Sequence, residues 1–207
     1  MPITAKQTID QDWDFTVVQE PLTLPSGKQS KVFANVRTDT GEELGYCTDR
    51  YAIVNSRDLV EKAEDAFERK GLGNFDRKIY STDGGAKLRV TYDFTDKTIE
   101  IPEVGDEMGF RLVLQNSFDR SLRVSFALGF LRLVCTNGMQ TLEKELDMLK
   151  KHSKSLDINS LLTDTALDKA MARFTDAGAV YGNLAKLGIT QDQGVYALQN
   201  QANTGLI

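Results

Sequence analysis

Hydrophobic and polar positions alternate along much of the first half of the chain, which is the period of a half-buried β-strand. Two of these runs flank Asp39-Thr40-Gly41, a turn signal, and this arrangement predicts a hairpin. The hairpin pairs 32–37 with 44–47, and a short third strand is predicted over 51–54. Trp13, Phe15 and Val17 also alternate with polar neighbours.

The period then changes to that of a helix. Leu59, Val60, Ala63, Ala66 and Phe67 recur at helical spacing. They follow two candidate capping residues, Asn55 and Ser56, and Gly71 stands just past the last of them. The pattern predicts one amphipathic helix of about four turns.

A second set of strands follows this helix. Apolar residues alternate over 88–94, directly after the turn signal Asp83-Gly84-Gly85. Further strands are expected over 110–114, 122–128 and 130–135, with 116–119 as a connection. Together they predict an antiparallel meander.

From residue 136 onward the pattern predicts helices. Met139, Leu142, Leu146 and Leu149 follow 3-4-3 spacing, with a cap at Thr136 or Asn137. A second helical run over 166–184 ends before Gly188. A third, over 191–207, begins at a capping-box spacing but is only weakly amphipathic.

Strands followed by helices predict an α+β fold, which we describe as an antiparallel β-sheet meander with one helix inserted after the first three strands and a C-terminal helical region. Helices should then cover one face of the sheet. We expect an α+β core domain over 1–154 and a C-terminal helical appendage over 155–207, which suits a chain of 207 residues.

Composition narrows the chemistry. No run approaches the roughly 18 apolar residues that span a bilayer, and residues 1–20 lack the pattern of a signal peptide, so we expect a cytoplasmic protein without a membrane partner. Two distant cysteines, Cys47 and Cys135, predict neither a disulfide framework nor a zinc site. His152, the one histidine, lies among lysines near an expected helix end, where a cation complements the helix dipole. No metal or cofactor is expected.

Two segments invite a catalytic interpretation and favour a plainer one. The glycine-rich stretch 81–87 is followed by a strand, whereas a phosphate-binding P-loop is followed by a helix, so it predicts a hairpin turn. Six carboxylates could in principle hold Mg²⁺ for a nuclease, but their spacing singles out no pair, and an acidic loop is the preferred interpretation. These carboxylates are Asp93, Asp96, Glu100, Glu103, Asp106 and Glu107.

Charge is unevenly spread. The chain has a formal net charge of -5, yet residues 111–154 hold eight Lys and Arg against four acids. Side chains on a strand alternate between faces, so Arg111 and Arg123, with Arg89, should share the open face of the sheet beside Gln115, Ser125 and Thr91. Such a face could follow a phosphate backbone. An ordinary solvated sheet face is the alternative.

Three segments resemble a known family. Residues 45–55, then Asn116-Ser117-Phe118-Asp119, then Arg132-Leu133-Val134-Cys135-Thr136-Asn137-Gly138 occur in this order. They are similar to the phage- and plasmid-borne proteins of domain-of-unknown-function family 932, over about 32–149, and the last segment is the most specific. Members often have glycine where this chain has Arg120, and many continue beyond 207 residues, so this chain is expected to be a short form.

The resemblance implies a mobile-element setting and no enzymatic site. Mobile elements encode proteins that bind and anneal single-stranded DNA, with strands and a helix around a basic groove and often in rings; this comparison is an analogy. The leading hypothesis is a non-enzymatic single-stranded nucleic-acid-binding or annealing accessory in replication or recombination, with DNA or RNA as partner and a homo-oligomeric state. The candidate binding residues are Arg111, Arg123, Arg132, Arg89, Tyr92, Phe118, Lys150 and Lys151.

The alternative hypothesis is a protein-binding module. An anti-defence factor that occupies a host protein, a DNA mimic and an assembly subunit are its variants. The acidic stretch 93–107, together with Asp10, Asp12 and Asp14, could form the mimicking surface. A continuous basic groove favours nucleic acid, and a continuous acidic face favours mimicry.

Overall fold

A computed structural model describes residues 5–9, 13–101, 106–133, 140–160 and 162–188. In chain order its strands and helices are β1 (Ala5–Ile9), β2 (Val17–Thr23), β3 (Gln29–Arg37), β4 (Glu43–Thr48), α1 (Ser56–Arg69), β5 (Phe75–Thr82), β6 (Lys87–Ile101), β7 (Asp106–Ser117), β8 (Val124–Leu133), β9 (Gln140–Lys150) and α2 (Asp164–Ala185).

The strands form two sheets. The smaller has the order β2-β3-β4, and the larger has the order β1-β5-β6-β7-β8-β9. Neighbouring strands are antiparallel throughout, except that β1 pairs with β5 in parallel. The predicted α+β class is confirmed, with the helix after the first strands and a C-terminal helix. Strands β1 and β5 were not predicted, and β2 begins at Val17, so the strand pattern expected over 13–17 is wrong except at its last residue.

The hairpin of β3 and β4 forms as the turn signal predicts, but the strand predicted over 51–54 is absent. Tyr51 and Ala52 instead lead from the small sheet toward α1. The Tyr51 hydroxyl donates to the Ser117 carbonyl oxygen at 2.6 Å, and the Ala52 amide donates to the His152 carbonyl oxygen at 3.4 Å. The segment is therefore held by single contacts to the ends of other elements and not by a sheet ladder.

Helix α1 confirms the helical pattern of its segment. Leu59, Ala63 and Phe67 are among its fully buried residues, and they share one side of the helix. Gly71, just past its end, has a φ of 59°, which is the left-handed conformation that glycine adopts without strain. Asn55 precedes the helix but does not cap it, since its side-chain oxygen accepts from the Val17 amide at 3.4 Å.

Both helices cover one face of the larger sheet. Phe67 of α1 contacts the Tyr92 ring edge-on with 5.0 Å between centroids, and Phe174 of α2 lies 5.4 Å from Phe110. Leu167 and Ala170 of α2 are buried in the same core as α1. In the described part of the chain, α2 therefore shares one core with the residues before the predicted boundary at 154.

Residues 140–150 form strand β9, so the helix predicted for them is wrong. β9 pairs with β8 from Val124↔Lys150 to Leu133↔Gln140. A one-residue shift in this ladder, between Leu128 and Gly129, interrupts the period of two, and Leu149 is 48% exposed, so the 3-4-3 spacing does not mark one apolar face. The helices already cover the apolar face, and pairing the long edge of β8 outweighs helix propensity.

Other predictions are adjusted or lie outside the described residues. Strand β8 is continuous over 124–133, where two strands were expected. The acidic loop is instead the outer part of the β6–β7 hairpin, in which Glu100 lies opposite Glu107. Cys135, the caps at Thr136 and Asn137, and the third helix lie outside the described residues. Among the described helices, none is long and apolar enough to cross a membrane.

Candidate nucleic-acid interface

The face of the larger sheet opposite the helices carries a basic groove. Along β6, Leu88, Val90 and Tyr92 turn toward the helices, so Arg89 and Thr91 turn to the open face. The same alternation places Lys78 and Tyr80 of β5 and Arg111 of β7 on that face. These five residues line a groove of about 310 Å³: Lys78, Tyr80, Arg89, Thr91 and Arg111.

Cross-strand register explains how the groove is built. Tyr80 lies opposite Arg89, and Arg89 lies opposite Gln115. In the next row, Lys78 lies opposite Thr91, which is followed by Val113 and Ala127. The long side chains of Lys78, Tyr80 and Arg89 therefore lie on β5 and β6, beside the smaller side chains of Thr91, Val113 and Ala127. Tyr80 is 41% exposed, so part of its side chain is accessible from solvent.

Arg111 is held by an ion pair. Its guanidinium contacts both carboxylate oxygens of Asp93, with 2.6 Å between Nη2 and Oδ2, and its side chain is only 12% exposed. The Nζ of Lys78 is 4.0 Å from the same carboxylate. Arg89 is exposed, and no carboxylate oxygen of the described residues lies within salt-bridge distance of it. Arg89 and Lys78, more than Arg111, therefore give the groove its positive charge.

Arg123 lies outside this groove, although it was predicted to share it. It stands just before β8 and lines a second cavity, of about 270 Å³, with Arg120 and Lys151. The open face thus brings together Arg89 and Arg111, and the loop between β7 and β8 carries Arg123 elsewhere. Lys150 is exposed at the end of β9 and lines neither cavity. The side chain of Arg132 lies outside the described part of the chain.

The prediction that Tyr92 or Phe118 stacks on bases is wrong. Tyr92 has no exposed surface, because it faces the helices and packs against Phe67 and Phe75 at 5.0 and 5.3 Å between centroids. Phe118 is 1% exposed and packs against Phe15. Neither ring is accessible to a base. Tyr80, in the strand that was missed, is the aromatic side chain that reaches the groove.

His152 follows a strand and not a helix, so the helix-dipole explanation of its position is wrong. Its ring stacks on Tyr51, with 4.7 Å between centroids and an interplanar angle of 15°. Its Nδ1 is 3.1 Å from the Ala52 carbonyl oxygen. Burial lowers the pKa of this imidazole.

Two of the three segments that carry the family resemblance, 45–55 and 116–119, meet where the two sheets join. The Asn116 amide group donates to the Val54 carbonyl oxygen at 2.8 Å, and Asn35 of β3, outside these segments, donates to the Phe118 carbonyl oxygen at 2.6 Å. A Cβ on Gly45 would lie 2.6 Å from the Cα of Asp119. These motif residues therefore hold the fold together at this junction.

Arg120 occupies a turn that suits glycine. Its φ is 69°, in the left-handed region. The chain thus builds this tight turn with an arginine, at the position where the family resemblance implied a glycine. This places a cation at the mouth of the second cavity.

The described residues contain no group of three or more His, Cys, Asp or Glu side chains that could hold a metal ion. Cys47 is a free, buried thiol that donates to Asn35 Oδ1 at 3.2 Å and accepts from Gln19 Nε2 at 3.1 Å. Burial raises the pKa of this thiol, which disfavours the reactive thiolate. Cys47 thus packs as a structural residue.

Three of the acidic residues proposed for DNA mimicry are engaged within the fold. Asp93 is paired with Arg111, Asp14 with Arg57, and Asp96 accepts from the Asn74 amide at 2.9 Å. Glu100 and Glu107 are exposed and lie opposite each other in the outer part of the β6–β7 hairpin. Asp10 and Asp12 lie outside the described residues.

Comparison with known proteins gives a family and no characterised relative. No curated protein and no solved structure matches the chain. The family model described as Domain of unknown function (DUF932) matches residues 43–203, which is more than half of the 207 residues. The chain therefore belongs to the DUF932 family of domains of unknown function.

Proposed function

We propose that this protein binds single-stranded nucleic acid along the open face of its larger sheet. The observation that carries the proposal is the groove in which Arg89 and Lys78 stand beside the exposed ring of Tyr80. Single-strand binding sites combine cations that track the phosphates with aromatic rings on which bases stack. Both components occur here on neighbouring positions of β5 and β6.

The acidic total of the chain does not oppose this proposal. The formal net charge is -5, but charges farther apart than the screening length of roughly 8 Å at physiological salt act nearly independently. The groove holds three cationic side chains. Asp93 is paired with Arg111 and lies 4.0 Å from Lys78, whereas Arg89 has no carboxylate partner among the described residues. The local field at Arg89 therefore favours an anion.

The biological setting follows from the family resemblance. We propose a phage- or plasmid-encoded, non-enzymatic accessory of replication or recombination, which binds or anneals single strands in the host cytoplasm as a homo-oligomer. DNA is the preferred ligand, and RNA is the ligand to compare with it. An open sheet face suits annealing, because one side of a bound strand stays accessible to a complementary strand.

Paired variants in the groove test this function. Fluorescence anisotropy with a labelled 20-nucleotide single strand should show binding at low salt, and Arg89→Ala should weaken it by about tenfold, since charge-assisted contacts contribute about 1.5 to 3 kcal/mol. Lys169→Ala is the matched control, because Lys169 is exposed on α2, on the helical side. Equal losses in the two variants would contradict the proposed groove.

A second pair separates stacking from charge. Tyr80→Phe keeps the ring and should bind as the wild type does, whereas Tyr80→Ala should lose about 1 to 3 kcal/mol, the contribution of base stacking on an aromatic ring. Because Tyr80 is 41% exposed, neither change should unfold the sheet. If both variants bind alike, Tyr80 is not a stacking residue.

The alternative function is a protein-binding module that engages a host protein or serves as an assembly subunit. The described residues show one feature that favours it, an apolar outer face on the small sheet, where Val18, Val32 and Tyr46 are each at least 38% exposed. Exposed apolar patches mark interaction surfaces. If the wild type does not bind single strands at low salt, the protein-binding function becomes the preferred proposal.

A further inference from the structure

A second cavity, separate from the basic groove, brings three cationic side chains together. Arg120, Arg123 and Lys151 line a space of about 270 Å³ with Leu122, Tyr51 and His152. All three cations are exposed, and no carboxylate of the described residues forms an ion pair with them. The two arginines come from the loop between β7 and β8, and the lysine directly follows β9.

The neighbouring carboxylate is bound elsewhere. Asp119 accepts from the Ser121 amide at 2.8 Å and from the Ser121 hydroxyl at 2.6 Å, and Lys87 Nζ lies 3.6 Å from its other oxygen. These contacts lower the pKa of Asp119 and keep it charged, although burial opposes them. The positive charge at the cavity therefore stays uncompensated.

The inner wall of the cavity is formed by two stacked rings and a leucine and is largely apolar. The Tyr51 and His152 rings are stacked, and the hydroxyl of Tyr51 is bound to the Ser117 carbonyl oxygen. A carbonyl oxygen only accepts, so Nδ1 of His152 carries the proton that it shares with Ala52. This contact places a proton on Nδ1 and fixes the orientation of the ring. Leu122 completes the wall.

We infer that this cavity binds a terminal phosphate monoester of a nucleotide. The three cations would hold the phosphate, and the ring pair with Leu122 would contact the attached sugar or base. A monoester carries a charge of about -1.5 to -2 at neutral pH, against -1 for an internal phosphodiester, so three cations favour a strand end. The cavity accepts one small group and not the length of a strand.

This inference deepens the proposed function, because it gives a bound single strand a defined end. The same phosphate chemistry occurs in a free nucleotide, and the experiment separates the two sources. Affinities are compared by anisotropy for one oligonucleotide with a 5′-phosphate, a 3′-phosphate or hydroxyls at both ends. Adenosine monophosphate is titrated by calorimetry as the free nucleotide.

Wild-type protein should bind one of the two phosphorylated strands roughly tenfold tighter than the hydroxyl strand, since the second negative charge of a monoester adds attraction to three nearby cations. The double variant Arg123→Gln/Lys151→Gln should lose this preference. Lys154→Gln is the matched control, because Lys154 is an exposed lysine that does not line the cavity. Circular dichroism establishes that the variants are folded.

The failures of the two proposals are distinguishable. Equal affinity of the wild type for all three strands overturns the phosphate site and leaves single-strand binding in the groove standing. Binding of adenosine monophosphate that depends on Arg123 and Lys151, without any binding of the oligonucleotides, supports the site for a free nucleotide and contradicts the proposed function. Loss of preference in Lys154→Gln as well contradicts the assignment to this cavity.

Discussion

Arg111 and Asp93 lie directly opposite each other on β7 and β6, and their side chains form a two-point ion pair on the open face of the larger sheet. Lys78 lies at the edge of the same pair, with its Nζ 4.0 Å from the carboxylate. The pair therefore sets the charge of the groove. It leaves Arg89 as the cation that faces solvent without a partner among the described residues.

Removing the carboxylate should strengthen binding. Asp93→Asn keeps the shape of the side chain, deletes one negative charge from the groove and releases Arg111. We expect the affinity for a single strand to rise by about threefold, the scale of one partly screened charge. Anisotropy titration measures it. Asp176→Asn, on the helical side, should have no effect, and an unchanged affinity of Asp93→Asn would place the strand elsewhere.

The junction of the two sheets should be intolerant of a single methyl group. In Gly45→Ala the new Cβ would lie 2.6 Å from the Cα of Asp119, which is backbone and cannot turn aside. We expect a loss of about 1 to 3 kcal/mol in the free energy of unfolding, measured by urea denaturation. The comparison is Gly182→Ala in α2, where nothing lies within 4 Å. That change should stabilise the protein by about 0.5 to 1 kcal/mol.

The turn at Arg120 should respond in opposite ways in stability and in binding. Its φ of 69° is unfavourable for any side chain and free for glycine. Arg120→Gly should raise the free energy of unfolding by about 0.5 to 1 kcal/mol, after the entropy cost of glycine is subtracted. The same variant should weaken binding of a phosphorylated strand. Arg120→Ala, which keeps the strain, should weaken binding without the gain in stability.

His152 should make stability depend on pH. Burial holds its pKa in the folded state below the ordinary value of 6.5, so the unfolded chain takes up a proton first as the pH falls. Stability should therefore decrease below about pH 6.5, by at most about 1.4 kcal/mol per pH unit. Because the chain has one histidine, its ring signal in proton NMR reports the folded pKa directly.

The control for this prediction removes the titration. His152→Asn retains an amide donor for the Ala52 carbonyl oxygen but carries no ionisable ring. Urea denaturation of this variant between pH 5 and pH 7 should show a shallower decline than that of the wild type. A folded-state pKa at or above 6.5 in the wild type is the result that would disprove the account of this residue.

Local patterns in the sequence predicted much of the fold. Helix α1, the hairpin of β3 and β4, and the alternating face of β6 each depend on neighbours in sequence, so their periods are visible. The sequence pattern did not predict β5, because its inward position 77 is an arginine. This arginine is buried and forms an ion pair with Glu64 of α1. A charged residue at a buried position interrupts the alternation of apolar residues, and sequence alone does not show the ion-pair partner that allows its burial.

The site was predicted only in part, for a similar reason. Alternation correctly placed Arg89 and Arg111 on the open face of the sheet. It could not show that Asp93 forms an ion pair with Arg111, because that pair depends on the register between two strands. It could not separate Arg123 from the groove, since a loop sets that position. Tyr92 was predicted to stack on bases, although the alternation along its strand already places it on the buried face with Leu88 and Val90.

The salt dependence of single-strand binding tests the central claim most directly. Each phosphate contact releases condensed counterions, so the logarithm of affinity should fall with the logarithm of salt concentration with a slope of about 0.7 per contact. The double variant Lys78→Ala/Arg89→Ala should bind with a slope shallower by about 1.4 than that of the wild type. An unchanged slope, or no binding of the wild type at low salt, would contradict a nucleic-acid-binding groove on the open face of the sheet.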